Sequence, residues 1–139
     1  MQNTIDQAEA FSRKWAMMLF VLAGAVLAAE LAGVALRTDF VDGFWLGVAL
    51  VCACTLVPWR RLLRLKGPLH RLLDDEVVRD HRRTSCVAGF WCSLVVALAL
   101  APLAHDGGLS AYDIARLVAT AALFSAMVTF ATLELRAAR

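Results

Sequence analysis

The side chains best suited to chemistry are gathered in one stretch, RLLDDEVVRDHRRT, Arg71 to Thr84, which holds four acids, four arginines and a histidine. Glu76 and Asp80 stand one helical turn apart with His81 next to Asp80, a spacing from which oxygen and nitrogen donors reach a divalent cation. The same two carboxylates could act as a general acid and base. Both readings meet the same objections. The arginines at 79, 82 and 83 compete for the carboxylates, and no second donor cluster is visible. The chain outside its apolar segments is also too small to build a pocket around a nucleophile. Pairing within one helix is simpler: Asp75 meets Arg79 at i+4 on the face of Arg82, and Glu76 lies beside Arg79 and Asp80, with Arg83 one turn on. The expectation is no metal, no cofactor and no catalytic residue. Asp75, Glu76, Arg79, Asp80, Arg82 and Arg83 instead form a solvated collar of ion pairs. Four acids exceed what the basic side of a membrane requires, so the collar is also expected to dock a partner.

Two further ionisable residues lie deep in apolar sequence, where charge is costly and is kept for pairing or for a pathway. Glu30 sits about six residues, roughly 9 Å, inside one end of the first apolar segment, and Arg116 sits about as far inside one end of the last. If those ends share a side of a bilayer, the two residues share a depth. An ion pair between Glu30 and Arg116 is expected, with Asp113 one turn away as a second acceptor. The competing reading is a small proton-coupled transporter or channel subunit using Glu30. A neighbouring arginine weighs against it, because a neutralised carboxylate is less free to exchange a proton for a substrate cation.

The elements that would position these residues follow from composition. Of 139 residues, 60% are hydrophobic and only 19% charged, more apolar surface than a water-soluble domain of this size can hide. A dozen charges fall between Arg60 and Arg83, while Ser85 to Ala104 has none. Crossing about 30 Å of hydrocarbon takes about 20 mostly apolar residues. Residues 15–36, 40–59, 84–104 and 111–135 qualify, so the fold class is all-α: a polytopic membrane protein with an antiparallel four-transmembrane-helix bundle as its single domain. The apolar run after MQNTIDQAEAFSRKW is too long for a signal-peptide core and reads as an uncleaved first span. Lys and Arg concentrate before the first span, in loop 60–83 and after the last span. By the positive-inside rule these segments and both termini belong in the cytoplasm of a bacterial cell, at its inner membrane. Arg60, Arg61, Arg64 and Lys66, interleaved with leucines, suit a segment lying on the anionic inner leaflet. Pro68 would start a helix that continues through the acidic cluster into the third span.

Helices in lipid associate largely through close backbone contact at small residues. Every span offers such a row: Gly24, Ala28 and Ala32 beside Ala25, Ala29 and Gly33; Gly43 and Gly47; Ser85, Gly89, Ser93 and Ala97; Ala111, Ala115 and Ala119 with Ala122 and Ala126. Trp15, Trp59, Trp45 and Tyr112 fall near the two interfaces, whereas Trp91 lies deeper and is expected to pack between helices. Ser110 to Asp113, SAYD, has capping-box spacing after the Gly107–Gly108 turn. Cys52, Cys54, Cys86 and Cys92 make no CxxC pair and read as small buried hydrophobes.

An acidic pair, then arginines, then a small-and-aromatic span, here Asp75, Glu76, Arg79, Arg82 and Gly89-Phe90-Trp91, resembles the cytosolic helix entry of several uncharacterised families of small bacterial four-span membrane proteins. The resemblance covers about twenty residues and implies a fold and a cell membrane, with no activity attached. The functional expectation is a non-enzymatic scaffold or accessory subunit. Its partners would be the lipid bilayer and either a second copy or another membrane protein, and the net charge of +2 sets nucleic acid aside.

Overall fold

In the computed structural model, residues 2–36, 38–57, 76–105 and 108–137 are described, with side chains from Arg13 and, in the third helix, from Val77 onward. They form four helices: α1 (Gln2–Leu36), α2 (Asp39–Leu56), α3 (Glu76–His105) and α4 (Ala111–Ala137). Each contains a stretch long and apolar enough to cross a membrane. The helices overrun the expected spans, because charge does not stop a helix that has no Gly or Pro to break it. α1 runs on through the polar amino-terminal stretch, and α3 starts at least eight residues before Thr84. The collar residues from Glu76 onward therefore belong to the same rod as the third apolar segment. Pro102 lies within α3, near its end.

The connection into α4 is a capping box. Ser110 Oγ accepts from the Asp113 backbone N–H at 3.1 Å and donates to Asp113 Oδ2 at 2.7 Å. The Ser110 backbone N–H donates back to the same carboxylate at 3.4 Å. These bonds satisfy amides that the start of any helix leaves without intrahelical partners.

The buried stripe of α1 is Ala16, Leu19, Ala23, Val26, Glu30 and Gly33, alternating three- and four-residue steps that keep one face toward its neighbours. It meets Trp45, Ala49 and Cys52 of α2 and Met127, Phe130 and Ala131 of α4 in one core. The Cys52 thiol donates to the Leu22 carbonyl at 3.8 Å, fixing the α1–α2 register.

Packing is less even than in a four-sided bundle. α4 is the hub, in contact with α1, α2 and α3, whereas α3 packs on α4 and hardly touches α1 or α2. The α3–α4 contact is a close one. A Cβ built at Gly89 would lie 2.8 Å from the Ala122 carbonyl oxygen and 3.0 Å from Ala126 Cβ. Ser85, one turn earlier, is fully buried. Trp91 is not packed between helices: it is 58% exposed on the outer face of α3, with Phe90 edge-on at 5.7 Å. Since α3 has a single partner helix, only the stripe through Ser85 and Gly89 is covered. The small-residue rows divide in the same way. Ala29, Gly33, Gly89 and Ala126 are used inside the chain, while nothing lies within 4 Å of a Cβ built at Gly24, Gly43 or Gly47.

Candidate functional site

The apolar seam between α1, α2 and α4 continues into a polar cluster. One helical turn beyond Val26 and Leu123 the buried positions become Glu30 and Thr120, and one turn further along α4 comes Arg116. Arg116 Nε donates to Glu30 Oε2 at 3.0 Å, and Nη2 donates to the Glu30 backbone carbonyl at 3.2 Å. Glu30 and Arg116 are each only 4% exposed. The structure thus brings together the two residues whose shared depth suggested a pair.

The second carboxylate on the guanidinium is Asp42, not Asp113. Arg116 Nη1 donates to Asp42 Oδ1 at 2.5 Å. The Asp113 carboxylate faces the other way along α4, into the capping box with Ser110. The reason is local, because Asp113 lies in the first turn of its own helix, where free amides and the positive end of the helix dipole hold it. Asp42 is in the first turn of α2 and gains the same dipole stabilisation while still reaching Arg116. Its side chain is 36% exposed, so it is the one arm of the cluster that meets the surroundings.

The remaining donors are also accounted for. Trp45 Nε1 donates to Thr120 Oγ1 at 2.9 Å, and Thr120 Oγ1 donates to Glu30 Oε2 at 3.1 Å. Glu30 Oε2 is therefore held by two donors from α4, and α2 is tied in through the indole. The guanidinium carbon lies 5.8 Å from the Trp45 ring centre and 6.0 Å from that of Tyr112, within cation–π range. Gly33 completes the pocket: a Cβ there would come within 2.6 Å of Arg116 Cζ and Nη1, so a larger residue would have to displace the guanidinium from its partners. Among the described residues, no buried side-chain nitrogen or oxygen lacks a hydrogen-bond partner. Chemically, the arrangement is a closed ion-pair staple joining three helices, with two carboxylates to one guanidinium.

Sequence reasoning missed Asp42, Trp45, Thr120 and Gly33. A helical-spacing signal existed for all but Asp42. Gly33 follows Glu30 by three, Thr120 follows Arg116 by four and Trp45 follows Asp42 by three, so each shares a helix face with a charged residue of the cluster.

The collar is placed differently from its expectation. Asp75, Arg60, Arg61, Arg64 and Lys66 lie outside the described residues, and so does the side chain of Glu76. Arg79, Asp80 and Arg83 are exposed and Arg82 is half-buried. Asp80 makes no ion pair among the described residues, although Arg79 and Arg83 stand near it on the same helix. His81 turns away from Asp80 toward α4, where its Nδ1 lies 3.2 Å from Glu134 Oε1. Glu134 is thus an interhelical contact. Set beside known protein families, characterised proteins and solved structures, the chain matches none of them.

Proposed function

We propose that this chain is a multi-pass protein of the bacterial inner membrane, with its four helices antiparallel and both termini in the cytoplasm, acting as a non-enzymatic scaffold or accessory subunit. Loop 60–83 and the start of α3 are its partner-docking surface, and the basic segment from Arg60 to Lys66 lies on the anionic leaflet. The observation that carries the reading is the closure of the Glu30–Arg116 cluster. Both groups are engaged by Asp42, Thr120, Trp45 and a backbone carbonyl of the same chain, and Gly33 is pressed against the guanidinium. Such a centre holds helices together, with three of the five guanidinium N–H groups already committed to Glu30 and Asp42. The opposed helix directions are supported by contacts that pair late α1 with early α2 and early α4, and early α3 with late α4.

The test has two parts. A fluorescent-protein fusion after Arg139 should fluoresce while a phosphatase fusion at the same point stays inactive; the opposite pattern reverses the topology. Changing Asp75, Glu76 and Asp80 together to alanine should abolish a chemical cross-link between the loop and its partner and leave the thermal unfolding of the purified protein unchanged. A cross-link that survives removes the acids from the docking surface.

A second reading, a proton-coupled transporter or channel subunit, draws on the charge count: Glu30 and Asp42 share one guanidinium. On that reading, vesicles containing the protein carry a proton-dependent flux that Glu30→Gln abolishes. On the scaffold reading, wild-type and Glu30→Gln vesicles are equally tight.

A further inference from the structure

We infer that His81 and Glu134 form a proton-dependent clasp that holds the start of α3 against the end of α4. The pair stands apart from the Glu30 cluster and does not depend on the scaffold reading. Three observations carry it. The side chains are only 15% and 12% exposed, with Nδ1 and Oε1 3.2 Å apart. The contact is a polar side-chain link between α3 and α4. α3 has no other substantial neighbour, so the hold of its first turns on α4 rests on this contact, the half-buried Val78 and the buried Ser85.

The proton accounting is direct. A neutral imidazole with its proton on Nδ1 donates to Glu134 Oε1; with the proton on Nε2, it sets a lone pair against the carboxylate. Uptake of one solvent proton gives the imidazolium, in which both nitrogens are donors and the bond to Oε1 becomes charge-assisted. The clasp is therefore tighter with that proton bound and loosens as the pH rises.

The charges around the pair do not reverse this sign. From α3, Arg79 and Arg83 are exposed, Arg82 is half-buried and its carbonyl accepts from Ser85 Oγ, and Asp80 is an exposed acid adjacent to His81. From α4, Arg136 is exposed two residues beyond Glu134, which itself has a further interaction. At the end of α1 nearest the core residue Ala16, Arg13 and Lys14 are exposed. Water screens these cations, whereas Glu134 is in contact and shielded.

The experiment places spin labels at Val77 and Ala137 in the full chain, with its native cysteines replaced by alanine, and measures the distance distribution in nanodiscs at pH 5.5 and pH 8. The separated population should rise about fivefold relative to the closed one at the higher pH, the gain expected when a charge-assisted bond becomes a neutral one. His81→Gln, which can still donate but cannot take up the proton, should give one ratio at both pH values. Glu134→Gln, which keeps the imidazole and removes the charge, should do the same. A wild-type ratio that does not change with pH overturns the clasp, and so does a pH dependence that survives in either variant.

Discussion

Replacing Arg116 with leucine is expected to destabilise the protein by about 3–5 kcal/mol, the cost of breaking a buried ion pair from one side. The change removes the donors that reach Glu30 Oε2, the Glu30 carbonyl and Asp42 Oδ1 together. It leaves a carboxylate that is 4% exposed with only the Thr120 hydroxyl as a donor. The complementary change, Glu30→Leu, is expected to cost clearly less, because the guanidinium keeps Asp42 and the two nearby rings. This asymmetry follows from the three-membered cluster; an isolated pair would lose about the same from either side. The double variant Glu30→Leu with Arg116→Leu should recover part of the loss, since an apolar replacement of a buried pair is often close to neutral. Asp42, at the edge, can turn outward. Exchanging the two charges should rescue folding only in part, because a glutamate at 116 would still meet the arginine at 30 but would also face Asp42. Reversible unfolding of the purified protein in mixed micelles, titrated with SDS, measures all four. Equal losses for the two single changes would remove Asp42 from the account.

The second large effect is at Gly89. A leucine there cannot be seated, because its first side-chain atom would already be 2.8 Å from a backbone carbonyl of α4, and a helix backbone cannot yield as the tip of a flexible side chain can. Overpacking of this kind costs about 1–3 kcal/mol in a core that can shift. α3 has no second partner to hold it, so the expected outcome is separation of α3 from α4 while α1, α2 and α4 stay together. The same spin-label pair at Val77 and Ala137 should report the separation, and the core shared by α1, α2 and α4 should be unaffected. Gly43→Leu and Gly47→Leu supply the contrast: nothing lies within 4 Å of either position, so neither should disturb the monomer. A Gly47→Leu variant as damaging as Gly89→Leu would show that small residues matter here for reasons other than helix contact.

Much of this was legible in the chain. Four apolar segments separated by a charged loop are a matter of counting, because each position contributes to a span whatever its neighbours do. The capping box at Ser110 is equally local, since serine and aspartate three apart meet wherever a helix begins. Glu30 and Arg116 were visible as partners because both lie at odds with their surroundings and at matching distances from a helix end.

Tertiary structure decided what depends on which faces meet. Asp42, at the start of the expected second span, had no visible partner, and only the approach of α4 made it the second arm of the guanidinium. Asp113 was nearer to Arg116 in sequence but was already claimed by its own helix start. Glycine rows occur in all four spans, and composition could not tell that Gly33 and Gly89 are contacts while Gly43 and Gly47 face outward. Trp91 shows the same limit in reverse. Its depth along the helix was readable, but not whether that side of α3 would find a neighbour. Position along a helix is set by the chain itself, at 1.5 Å per residue. Rotation about the helix axis is set by packing, and the chain reveals it only where burying a charge makes one orientation much better than the others.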